Sequence, residues 1–138
     1  MRSLLFVITF TAACVFATDR PEFSGTWQLS STHDAKLKFE TLVIQQGPDD
    51  IKITESGGKE KAVDFACGLD AKECKLKEGA ISFWYNGTAL VMMESHHNHD
   101  FVIETRLVRA EDGKTLNLEL TRVTPAGSKA TYTFTKQP

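Results

Sequence analysis

Ser95-His96-His97-Asn98-His99-Asp100 is the densest concentration of chemically capable side chains in the chain, with three of its four histidines in six residues. Imidazole nitrogens are good ligands for Zn²⁺ or Cu²⁺, which makes His96, His97 and His99 a candidate metal-binding loop. The spacing is not that of a rigid site. Adjacent His96 and His97 diverge in extended chain, and only His97 and His99 share a side. A solvated polar loop accounts for the same residues, so no metal is assigned, and a metal-binding protein using the His96–His99 loop stands as one alternative function. Glu94 and His96 could form an acid/base pair near the mouth of a barrel. They are accompanied by no Gly-x-Ser-x-Gly elbow, no phosphate-cradling Gly-rich loop and no His-Glu-x-x-His, so the chain reads as a non-enzyme without a cofactor.

The cysteines point to a second kind of chemistry. Met1-Arg2-Ser3 carries one positive side chain, and Leu4 to Ala13 is an almost unbroken apolar run too short to cross a bilayer. With Val15-Phe16-Ala17 before the polar Thr18-Asp19-Arg20-Pro21, this is the pattern of a signal peptide over residues 1–17, followed by one mature domain over 18–138. A competing reading lipidates Cys14 after Ala12-Ala13, although the large aliphatic residue usual at position 11 is absent. Cleavage after Ala17 leaves Cys67 and Cys74, an even pair in an oxidising compartment separated by a polar loop, and the expectation is a disulfide. A Zn site would need two further ligands.

The elements that must position these groups are strands. From Ser24 onward, short apolar or β-branched runs alternate with Gly, Asp, Asn and Pro, as in an antiparallel meander. Expected strands cover 25–30, 37–46, 50–56, 60–66, 79–85, 88–95, 101–109, 115–123 and 129–136, with a short helix conceivable near Asp70 to Cys74. Asn86-Gly87 reads as a two-residue turn that pairs Tyr85 with Thr88, Phe83 with Leu90 and Ile81 with Met92. That hairpin is apolar on both sides, because Ser82, Trp84, Val91 and Met93 fill the other face, so parity leaves its inward side open. Leu116, Leu118 and Leu120 alternate with Asn117, Glu119 and Thr121, the mark of a half-buried strand. About eight to nine strands with local connections fit a small antiparallel up-and-down β-barrel better than a Greek-key sandwich, which needs long crossovers.

Phe23-Ser24-Gly25-Thr26-Trp27-Gln28-Leu29 places a Gly-x-Trp at the head of the first strand. This start resembles the lipocalin-like families. Ile81-Ser82-Phe83-Trp84-Tyr85-Asn86-Gly87, Asp112-Gly113-Lys114-Thr115-Leu116 and Thr133-Phe134-Thr135-Lys136-Gln137 are similar to stretches of secreted bacterial lipocalin-like proteins. The resemblance implies a barrel enclosing a small apolar ligand and an arginine from a late strand, Arg109 or Arg122, packed over Trp27. Physically, Trp27 suits a barrel-closing role, with its indole N–H needing one acceptor. Phe39, Phe83, Tyr85, Leu90, Met92, Phe101, Ile103, Leu118, Tyr132 and Phe134 would line an apolar site, or fill a solid core, since a barrel of about eight strands is just wide enough for its own side chains.

A net charge of −2 with both signs interspersed argues against nucleic acid as a partner. No later apolar run reaches bilayer length, so the mature chain has no integral membrane segment. The expected protein is periplasmic or secreted and monomeric. It binds a small apolar molecule, or else is a solid-core envelope or interaction module.

Overall fold

Strand after strand in this chain has apolar residues at every second position, and the backbone converts that period into one wet and one dry face. The computed structural model describes residues 20–31, 37–96 and 100–138. The proposed signal segment, Cys14, His97 and His99 lie outside the described residues. Among those described are ten strands: β1 (Gly25–Ser31), β2 (Thr41–Gln46), β3 (Asp50–Ser56), β4 (Val63–Gly68), β5 (Cys74–Leu76), β6 (Gly79–Asn86), β7 (Ala89–His96), β8 (Val102–Arg109), β9 (Thr115–Thr124) and β10 (Lys129–Lys136). All pairings are antiparallel. The sheet runs β4-β3-β2-β1-β10-β9-β8-β7-β6-β5, so the first strand pairs with the last and β4 and β5 are left as the two edges. A disulfide between Cys67 and Cys74, with Cα atoms 5.8 Å apart, joins those edges and makes the sheet a nearly closed barrel.

The strand count corrects the expected eight to nine. The added strand is β5, whose three residues are too few to display an alternation. The helix entertained near Asp70 to Cys74 is absent: Ala71 takes a φ of 63°, which a right-handed helix cannot accommodate. The β6–β7 turn is also displaced. Asn86 pairs with Ala89, Tyr85 with Leu90 and Phe83 with Met92, which puts Gly87 and Thr88 at the turn centre. Gly87 alone supplies a positive φ, 61°, at the first central position, so Asn86 remains in the strand. Every partner moves by two residues, and no side chain changes face.

Inside the wall, Leu42, Ile44, Ile51, Ile53, Ile81, Phe83, Leu90, Leu107, Leu116, Leu118 and Phe134 are buried in one apolar cluster. One end of the barrel is sealed by the residues before β1. Phe23 and Trp27 have no exposed surface, and Trp27 Nε1 donates to the Phe23 carbonyl at 2.9 Å. Gln46 secures this plug: its Oε1 accepts from Phe23 N at 2.8 Å, its Nε2 donates to the Tyr85 hydroxyl at 2.7 Å, and its own N–H reaches Ser24 Oγ at 2.9 Å. Arg109 Nη1 donates to the Glu22 carbonyl at 2.8 Å.

The cation over Trp27 is therefore neither arginine expected there. Lys136 Nζ sits 5.6 Å from the indole centroid, while Arg122 is at the far end of β9 over the Phe101 ring at 4.8 Å. Gly25 explains why the Gly-x-Trp spacing suits this arrangement. Its φ is 141°, a conformation that a residue with a Cβ rarely adopts, and a Cβ built on it would lie 2.8 Å from Lys136 Cε, so a larger residue would be strained there and would shift the lysine.

Trp27 supplies both apolar area and a satisfied donor, and the two contributions separate by substitution. Trp27→Ala is expected to cost about 3–5 kcal/mol. Trp27→Phe should cost roughly 1–2 kcal/mol, because the Phe23 carbonyl loses its partner in a dry environment. Urea denaturation of the three proteins checks both, and equal losses for the two variants would contradict a separate role for the indole N–H.

Candidate functional site

Opposite the plugged end, the strands carry further groups on the inside of the wall. Two acidic residues occupy inward positions there. In β3, Ile51 and Ile53 are buried and Glu55 continues the same face. In β7, Leu90 and Met92 are buried and Glu94 follows on the same side. Glu55 pairs with Leu42 and Val63, and Glu94 pairs with Ile81 and Ile103, so each carboxyl is set among mainly aliphatic neighbours.

Burial dominates the electrostatics. Removal from water, with a smaller contribution from the Glu94 charge, pushes Glu55 up to about 7. Glu94 is raised as well, again mainly by burial, and is partly compensated by His96 and Lys38. His96 Nε2 lies 3.6 Å from Glu94 Oε1, so the two residues singled out as an acid/base pair are brought together. The His96 ring also meets Phe101 edge-on at 5.4 Å. A carboxyl near 7 is partly protonated at neutral pH and can donate or accept a hydrogen bond. Among the described residues, no three His, Cys, Asp or Glu side chains gather into a metal-binding group.

The ten apolar candidates divide by depth. Phe83, Leu90, Met92, Leu118, Tyr132 and Phe134 are buried in the core, and Phe39 packs against Phe134 with ring centroids 6.1 Å apart. Tyr85 belongs to the plugged end, where Arg20 stacks on its ring at 5.2 Å. Phe101 and Ile103 are half-buried at the end that carries Glu94. Half-buried Leu29, Leu37, Leu76, Leu120 and Ala130 pack on the core. Two concavities, of about 780 and 380 Å³, include none of the ten candidates: the first, at the plugged end, is lined by Ser24 and Gln46 with exposed Gln45, Lys52 and Ala66, and the second by Leu76 with exposed Lys75 and His96.

Glu55 is the site residue that the motif reading passed over. A signal for it was present: Ile51-Lys52-Ile53-Thr54-Glu55 has the period of a strand, and that period places the glutamate on the isoleucine face.

The raised pKa has a defined consequence for stability. Glu55 binds more protons in the folded than in the unfolded chain between pH 4.5 and about 7. Its stabilising contribution is thus fully present below 4.5 and is lost as pH rises through about 7. Across that window wild type should lose up to about 3 kcal/mol relative to Glu55→Gln, and denaturation series at several pH values measure the difference. Parallel pH profiles for the two proteins would show that this carboxyl is not buried as described.

No helix among the described residues is long and apolar enough to cross a membrane. The chain matches no family model and no curated protein.

Proposed function

We propose that the protein is an exported, monomeric, lipocalin-like barrel that holds a small, mainly apolar molecule at its unplugged end. The observation that carries this reading is the contrast between the two ends. Phe23, Trp27, Gln46 and Arg109 seal one of them with packed rings and hydrogen bonds. The other presents half-buried Phe101, Ile103, Leu120 and Ala130 around two inward carboxyls. An apolar surface with a few fixed polar groups is the usual composition of a small-molecule site. Buried Met92, Leu118, Tyr132 and Phe134 would serve as its floor. Export is supported by the N-terminal sequence pattern and by the Cys67–Cys74 bond, which persists in a periplasmic or extracellular environment.

A second reading has its own support. Phe83, Leu90 and Phe134 have no exposed surface, as in a barrel filled by its own side chains, and a filled barrel would act as an envelope or interaction module through its outer face.

The two readings separate in one titration. The neutral fluorophore N-phenyl-1-naphthylamine should bind saturably at one site, and Leu120→Lys should weaken it roughly tenfold or more by placing an ammonium group among the apolar residues. Absence of saturable binding, together with no small molecule in mass spectra of the purified protein, would leave the filled barrel.

A further inference from the structure

The barrel wall has ten junctions between neighbouring strands, and nine of them are backbone ladders. The junction between β4 and β5 has no paired residues. What crosses it is the Cys67–Cys74 bond and the connecting segment, whose Ala71 N–H donates to the Phe83 carbonyl of β6 at 2.9 Å. On the other side of the bond, β5 is attached to β6 through three residue pairs, against eight between β6 and β7 and eight between β8 and β9. Residues 69–76 are thus a strap laid across the seam, held by a short ladder, two loop hydrogen bonds (Ala71 N–H to the Phe83 carbonyl and Leu69 N–H to the Asp49 carbonyl, both 2.9 Å) and one covalent link. Ala71 sits in the strap with a φ of 63°, a conformation that disfavours every residue with a Cβ, so the strap has little intrinsic preference for its closed shape.

We propose that Cys67–Cys74 is a redox latch on the barrel wall: its reduction frees the strap over residues 69–76 and opens the seam beside β4 while the remaining strands stay folded. This does not depend on the ligand reading. The chemistry is thiol–disulfide exchange with a dithiol. One thiolate of the reductant attacks the sulfur of half-buried Cys74 and forms a mixed disulfide, and Cys67, the more buried of the two, leaves as a thiolate and takes up a proton. The second thiol of the reductant then displaces Cys74, so the reductant ends as a disulfide and the protein as two thiols. Local rather than global opening follows from the ladder lengths. Lifting the strap breaks three residue pairs and the Leu69 and Ala71 loop bonds, whereas parting the wall between β6 and β7 breaks eight pairs. The side chains uncovered are apolar: Phe65 on β4, Leu69 and Leu76 on the strap, and Ile81 behind them on β6.

Amide hydrogen exchange read by mass spectrometry on the purified protein, oxidised and after treatment with dithiothreitol, tests this directly. Reduction should accelerate exchange in residues 69–76 by roughly tenfold or more and change β8, β9 and β10 by less than about twofold. The Cys67→Ser/Cys74→Ser double variant should reproduce the reduced pattern, and reoxidation of wild type should restore slow exchange. Equal acceleration in all strands, or global unfolding on reduction, would make the bond a general stabiliser and overturn the latch. Unchanged exchange over 69–76 would overturn it as well.

Discussion

A ten-stranded antiparallel sheet carries two edges of unpaired backbone groups, and the architecture of this protein depends on how those edges are brought together. Pairing β1 with β10 joins the ends of the chain and curls the sheet, which carries the free edges round to β4 and β5. These strands are consecutive in sequence, so a short excursion suffices to connect them, and the Cys67–Cys74 bond fixes them at a Cα separation of 5.8 Å. A covalent link thus stands where a ladder would otherwise be. Because the bond closes only a short loop, its effect on the unfolded chain's entropy is modest, about 2–3 kcal/mol. Its larger role is local, at the one junction that has no other strong attachment.

Closure creates an interior, and the two ends of that interior are finished differently. At the plugged end, polar groups are satisfied within the protein: Gln46 uses its carbonyl, amide and backbone N–H, and the indole and the Arg109 guanidinium each find a backbone carbonyl. Burying the indole and much of Gln46 is tolerable because they are hydrogen-bonded. At the opposite end, Glu55 and Glu94 meet burial by holding their protons more tightly. The same desolvation that raises these carboxyls gives the end its capacity to offer a neutral donor on an apolar surface.

The β6–β7 hairpin illustrates how closure assigns faces. Phe83, Leu90 and Met92 lie in the core cluster, whereas Trp84 and Met93 occupy the outer face half-buried, and Val91 is covered between its cross-strand neighbours Trp84 and Arg106. Both sets are apolar enough to have been the inner one. The choice comes from the strands on either side, since Thr105, Leu107, Leu116 and Leu118 have an unambiguous buried face and the ladder forces β6 and β7 into the same parity.

Much of this was legible in the residues themselves. Period-two patterning determined nine of the ten strands, and Leu116, Leu118 and Leu120 could face only inward while Asn117, Glu119 and Thr121 faced water. The even pair of cysteines around a polar loop pointed to their bond. These features are local, because alternation and loop chemistry act over a few residues. The tertiary structure decided everything that requires two distant segments to meet. It placed Lys136 rather than an arginine over Trp27, made the Cys67–Cys74 bond the link between sheet edges, and set half-buried Glu55 between Leu42 and Val63 of the neighbouring strands. A sequence states which face a residue takes on its strand; only closure of the sheet states what that face will look at.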